Sequence, residues 1–265
     1  CIPSTSGHTV VYYGDDKNNQ YLYKFISKTN TDLKEGVLYV ANIKAGKWLA
    51  LDLDLSPILR KHFKTKIDVL TYAREAGKIL GATPLNRPED IEINPLTGDV
   101  YVALTNNKSA GDFHGSILKI SESDKDYSSL SFKSETYMFG GEALGFSCPD
   151  NLAFDKVGNL WFTSDMSGRA IGKPPYKSFG NNGLFLVATQ GDNAGRPVQV
   201  ASAPNDAEFT GICFTKDYKT LFLSVQHPGE LTTDLNNPTS NWPTGKIPKP
   251  TVVAIDGPFL SSVIS

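Results

Sequence analysis

The chain has 265 residues, with 26 Lys and Arg against 28 Asp and Glu and a formal net charge of −2. That balance excludes the basic field needed to hold nucleic acid or an anionic membrane surface, and no apolar run reaches the ~18 residues of a membrane span. Apolar residues make up 40% and charged residues 20%, ordinary globular proportions in a chain long enough to bury a core.

In chain order, strand signals dominate. Val10-Val11-Tyr12-Tyr13, Tyr21 to Ile26 and Val37 to Ala41 are short runs rich in aromatic and β-branched residues, separated by turn clusters at Gly14-Asp15-Asp16 and Thr29 to Gly36. Another strand ends at Trp48 to Leu51. From Asp68 to Leu80 the apolar residues fall at helical spacing, with Gly81 suited to the position after the helix and Pro84 beyond it. A shorter helix is expected around Pro57 to Phe63. Late in the chain, Thr232 to Pro250 is rich in Asn, Thr and Pro and reads as a surface loop, and Val252 to Ile255 as a further strand.

Three segments share one grammar: Pro88 to Val102, Pro149 to Phe162, and Thr210 to Leu223. Each is a strand of alternating apolar residues, a tight polar turn and a second apolar strand. Ile93, Phe154 and Phe214 occupy matching positions at nearly equal spacing. A hairpin recurring at regular spacing predicts an all-β, radial architecture, a β-propeller. At about 60 residues per repeat the chain covers about four blades, the low end for closure, with one or two short connecting helices. One propeller domain is therefore expected over residues 1–265, either small or the C-terminal part of a larger propeller.

A polar group stands at the start of the first strand in each repeat: Arg87 and Glu89, then Asp150 and Asn151, then Glu208. Inner strands of a propeller begin near its axis, so these groups converge. Converging carboxylates repel unless a cation sits among them, and an all-oxygen set suits Ca²⁺. A fourth contribution is Gln226-His227-Pro228-Gly229-Glu230, where the Pro-Gly turn aims Glu230 back toward the blade ends. The guanidinium of Arg87 beside Glu89 matches phosphate geometry. Taken singly, each residue has a plainer reading. Arg87 and Glu89 form a surface ion pair, Asp150 and Asn151 shape a turn, Asp15 and Asp16 shape a hairpin, and His227 is an ordinary loop histidine. Only the matched positions lift the set above these.

The cysteines are Cys1, Cys148 and Cys213, with no CxxC pair and no zinc spacing. Cys148 and Cys213 read as small buried residues. Cys1, ahead of Ser4-Thr5-Ser6-Gly7, reads either as the lipid-anchored end of a mature lipoprotein or as an arbitrary start.

The runs GHTVVYYGDD, LGATPLNRPEDIEINPLTGDVYVALTNN, CPDNLAFDKVGNLWFTSD, EFTG and FLSVQHPGE, in that order, resemble the C-terminal part of the PhoX family of bacterial alkaline phosphatases. The resemblance runs from Ser6 to about Pro243. It implies a six-bladed propeller hydrolysing phosphate monoesters at a cluster of Fe³⁺ and Ca²⁺ ions, in a protein exported to the periplasm, cell surface or beyond. It implies Arg87 as phosphate-binding, Arg87 and Glu89 as catalytic, and Glu89, Asp150, Glu208 and Glu230 at the metals, with Asn151 and His227 in the same motifs. The family's Thr-Cys-Glu-Glu segment, whose cysteine ligates iron, does not occur here, so upstream blades would have to supply it. Two other readings remain open: a calcium-binding propeller without turnover, and a calcium-dependent lactonase-like propeller, which has no role for Arg87.

Overall fold

The computed structural model describes residues 2–30 and 32–264; Cys1, with the lipid anchor expected there, lies outside them. The chain opens with β1 (Ile2–Pro3), β2 (Thr9–Gly14), β3 (Asn18–Gln20), β4 (Leu22–Ser27), β5 (Gly36–Asn42) and β6 (Lys47–Ala50). All but β3 form an antiparallel sheet in the order β1-β2-β4-β5-β6. Two helices follow, α1 (Lys66–Thr71) and α2 (Ala73–Leu80), then β7 (Leu85–Asn86), which pairs with β3.

The second sheet is β8 (Pro88–Ile93), β9 (Val100–Leu104), β10 (Ser116–Glu122) and β11 (Phe132–Phe139). The third is β12 (Pro149–Phe154), β13 (Leu160–Ser164), β14 (Gly183–Val187) and β15 (Pro197–Ser202). The fourth is β16 (Glu208–Phe214), β17 (Thr220–Gln226) and β18 (Thr251–Asp256), followed by α3 (Pro258–Val263). The sheets start at Pro88, Pro149 and Glu208, almost evenly spaced along the chain, so the repeat in the sequence is a repeat of sheets.

The sheets stack because period-two alternation lets each middle strand serve two cores. On β9, Val100, Val102 and Leu104 pack toward the first sheet with Leu22 and Trp48, while Tyr101 and Ala103 pack toward the third with Phe146 and Phe162. On β13 and β14, Trp161, Leu184 and Leu186 face the fourth sheet, and Phe162 and Phe185 face the second. The strands β2, β8, β12 and β16 lie side by side down one edge of this stack. The result is the expected all-β, propeller-like architecture of four sheets.

The outer face of the first sheet is covered by α1 and α2, whose Val69 and Ala76 pack with Tyr21, Tyr23 and Val40. A single helix over Asp68 to Leu80 is corrected here. Thr65 and Asp68 form a capping box that starts α1 earlier, and Tyr72, at φ −107 and ψ 42, breaks the axis before α2. Gly81, at φ 79, closes α2 in the left-handed conformation as expected. Cys148 is buried, but Cys213 is exposed on β16, because its side of that strand faces away from the core. No helix among the described residues is long and apolar enough to cross a membrane.

Candidate functional site

The edge where β8, β12 and β16 begin carries a shared distortion. In each strand the register shifts near its start, between Pro88 and Ile91, Pro149 and Leu152, and Thr210 and Cys213. Such bulges re-aim side chains and recur beside active sites. Arg87 and Cys148, each just ahead of a proline at matching positions, both take φ of 54, a left-handed conformation costly for residues with a Cβ. Asp90 and Asn151, on the bulges, tie the sheets together. Asp90 Oδ2 accepts from the Leu152 N–H at 2.9 Å, and Asn151 Oδ1 accepts from the Gly211 N–H at 2.7 Å.

Arg87 stands at the centre. Its Nε and Nη2 donate to the two oxygens of Asp16 at 2.8 and 3.1 Å, and Nη2 also donates to Glu89 at 2.5 Å. Its Nη1 lies 3.8 Å from Asp165, just past the end of β13. One guanidinium thus meets carboxylates from three neighbouring sheets. Gly14 brings Asp16 within reach, because a Cβ there would collide with the Pro88 carbonyl. Burial works against the Arg87 charge, but the hydrogen bond to Asp16 and the charges of Glu89, Asp16 and Asp165 hold it protonated, above its ordinary value.

The remaining acids lie against one another. Glu89 contacts Asp150, and burial first, then Asp150 and Asp16, raise the Glu89 carboxyl far above the carboxylate range. Asp150, 6% exposed, is also raised, by burial and then by Asp165, Glu208 and Asp90, while Glu89 opposes the shift. Glu208, 5% exposed, is raised by burial, then by Asp165, Glu89 and Glu230. Its Oε1 meets His227 Nε2 at 3.2 Å, and His227 Nδ1 lies 3.3 Å from the Asp206 carbonyl. Its carboxyl also lies against Asp165, and its Oε2 is buried with no hydrogen-bond donor in reach. Glu230 is exposed at the rim, 3.9 Å from His227 Nδ1.

The structure therefore gathers Arg87, Glu89, Asp150, Glu208 and His227 at one place. It leaves Glu230 at the margin and commits Asn151 to the tie with Gly211. Two residues at the centre escaped the sequence reading. Asp16 passes for a hairpin turn, since its partner Arg87 is remote in the chain and the local residues explain it without one. Asp165 follows the second strand of its repeat, and the pairing of Pro149 with Ser164 carries it to the start of the first. The position after the paired strand was the available signal.

Buried carboxyl pairs can share a contact only with a proton or a cation between them. Among the described residues no group of three or more His, Cys, Asp or Glu forms a ready-made ion cage; the acids stand two by two. Even so, the donor set fits a hard cation, being all oxygen, buried and raised, with the unpartnered Glu208 Oε2 among it. Cys148 is not free to ligate a metal. The Cys148 sulfur accepts from Asn106 at 3.4 Å, its thiol reaches the Phe113 carbonyl at 3.5 Å, and burial keeps it protonated.

The profile of the family described as alkaline phosphatase PhoX matches residues 1–229. Among solved structures, Pseudomonas fluorescens PhoX in complex with vanadate, a transition state analogue, superposes with a TM-score of 0.81 at 27% identity, covering 96% of this chain and 52% of that one. The chain thus spans about half the length of that relative. A luciferin-regenerating enzyme aligns at a TM-score of 0.39 and 11% identity, covering 83% of this chain and 55% of that one, too weakly to bear on the fold. No match is found among curated proteins.

Proposed function

The chain belongs to the PhoX family of alkaline phosphatases, and on that footing we propose that it carries the phosphate-gripping and calcium-binding part of a phosphomonoesterase site. The observation that supports this most is Arg87, a permanently charged fork held between acids of three sheets beside raised, paired carboxyls.

Arg87 binds the ester's phosphoryl oxygens bidentately, displacing the half-exposed Asp16 from its Nε and Nη2 edge. Being charged at all working pH values, it neutralises the ester without proton uptake. Glu89, Asp150 and Glu208 hold calcium, with Asp165 beside them and Glu230 at the rim. Calcium, when bound, supplies positive charge to the phosphoryl oxygens. His227 fixes Glu208 through Nε2, and the Asp206 carbonyl fixes the ring in turn. The bulges and the ties from Asp90 and Asn151 keep the three strand starts in register, so the acids converge without relying on mobile loops. In the hydrolysis proposed, water joins phosphorus and the ester oxygen leaves with a proton. Iron would depend on the cysteine segment that the family resemblance places upstream, so this proposal is confined to calcium and the phosphate.

The filling of the Arg87 fork by Asp16 favours a second reading, a calcium-binding propeller without turnover. A chromogenic phosphate monoester, assayed with and without a chelator, separates the two. Turnover lost on chelation and in Arg87→Ala supports the phosphatase. Calcium-dependent thermal stabilisation without turnover supports the second. Neither stabilisation nor turnover would sink both.

A further inference from the structure

Beside Arg87, on the far side of Asp16, a cleft of about 590 Å³ opens between the end of β2 and the break between α1 and α2. Three tyrosines line it. Tyr13 and Tyr23 stack with ring centroids 5.2 Å apart and planes 14° from parallel. Across from them Tyr72, at the helix break, presents a ring that is 57% exposed. Asp15 and Arg74 close the cleft with a two-pronged ion pair at 2.6 and 2.7 Å. Tyr23, also in the lining, is 3% exposed, and its hydroxyl is buried with no hydrogen-bond partner. A buried phenol left unpaired is costly unless something completes it.

We propose that this cleft is the leaving-group pocket of the phosphate site and that it takes the nucleobase of a nucleoside monophosphate. The proposal rests on the phosphatase reading for its anchor, Arg87, and on separate residues for its selectivity. The chemistry selects the ligand. A plain aryl ring would use the tyrosine faces but leave the Tyr23 hydroxyl and the Asp15–Arg74 pair unused. A nucleobase has both a π face for Tyr72 and Tyr13 and a hydrogen-bonding edge for those polar groups. Asp16 belongs to both sites, lining the cleft and bonding Arg87, so the base and the phosphate of one molecule lie to either side of it.

The test is calorimetric titration of the full chain, in calcium, with inorganic phosphate, adenosine 5′-monophosphate, phenyl phosphate and adenosine. The nucleotide should bind about 10-fold or more tighter than phosphate, and tighter than phenyl phosphate. Tyr72→Ala should bring the nucleotide down to the level of phosphate and leave phosphate itself unchanged. Tyr23→Phe, which keeps the ring, should weaken the nucleotide but not phenyl phosphate. Equal affinities for phosphate and nucleotide, or a Tyr72→Ala effect shared by both, would overturn the pocket. Should phosphate fail to bind at all, the phosphatase reading falls while the pocket is judged by adenosine alone, whose binding must then be present and lost in Tyr72→Ala.

Discussion

The Arg87 guanidinium lies 3.8 Å from the Asp165 carboxylate, although the two residues belong to neighbouring sheets. Asp165 also presses on Glu208 at the start of the next sheet and helps raise its carboxyl. It is therefore the link between the phosphate-gripping fork and the calcium-binding acids. Asp165→Asn keeps the shape and removes the charge. Calcium affinity, measured by titration calorimetry, should fall about 10-fold, the cost of losing one charge beside the ion. An unchanged affinity would remove Asp165 from the site.

Arg87 makes a different demand. Its fork meets both oxygens of Asp16, and a phosphate replacing Asp16 would be held in the same two-pronged way. A lysine carries the charge but not the fork. Arg87→Lys and Arg87→Ala should both weaken inorganic phosphate binding by about 10-fold or more, with the lysine recovering little. Full affinity in the lysine variant would show that charge alone suffices and that the fork is incidental.

How far these residues could be read beforehand follows from the periods they obey. The hairpins at Pro88, Pro149 and Thr210 were visible because strand alternation and turn residues are local. The convergence of Glu89, Asp150 and Glu208 followed from their shared position in a repeat. Asp16 and Asp165 carried no such mark, since each matters through a partner distant in the chain and on another sheet. The break at Tyr72 was hidden for another reason: two short helices in succession keep nearly the apolar spacing of one. Cys213 sits on a strand whose alternation was clear, but which face would be covered depends on β16 lying in the last sheet of the stack.

The paired acids also set how the protein answers pH. Glu89 and Glu208 are each raised to about 9, burial being the main cause, against about 4.3 in an unfolded chain. Between those values the folded state binds more protons than the unfolded one. The stability they contribute is therefore fully present below pH about 4 and is lost as pH rises through about 9. With chelator present, the melting temperature should be lower at pH 9 than at pH 6 by about 4 °C or more. Saturating calcium should flatten that slope, because the ion replaces the proton between the acids. A chelated protein equally stable at both values would contradict the burial of these groups.

Away from the site, Lys24 and Glu122 form a fully buried ion pair at 3.0 Å that ties β4 to β10 across the first two sheets. Glu122 also accepts from Tyr12 at 2.6 Å and from the Trp48 indole at 3.0 Å, while Lys24 reaches the Tyr127 and Ser129 carbonyls. Burial lowers the Lys24 ammonium to about 8 in spite of the pull of Glu122. Glu122→Ala strands the donors of Tyr12, Lys24 and Trp48 at once, so denaturant titration should show a loss of about 3–5 kcal/mol. Phosphate affinity of the folded fraction should not change. A loss well under that range would mean that water enters and completes the donors.

Glu89→Gln separates folding from metal binding by moving them in opposite directions. In the metal-free protein at pH 8, a carboxyl raised to about 9 is held protonated against Asp150, at a cost relative to water. The amide keeps a donor for Asp150 and an acceptor oxygen for Arg87, and it has no proton to lose. The chelated variant should therefore melt at the same temperature as the unaltered protein or slightly above it. Its calcium-induced rise in melting temperature should shrink, and its calcium content by elemental analysis should fall, because a neutral oxygen binds a hard cation less strongly than a carboxylate. Unchanged calcium content would remove Glu89 from the metal site, whatever happened to the melting temperature. A large drop in the chelated melting temperature would assign Glu89 to the scaffold that holds Arg87.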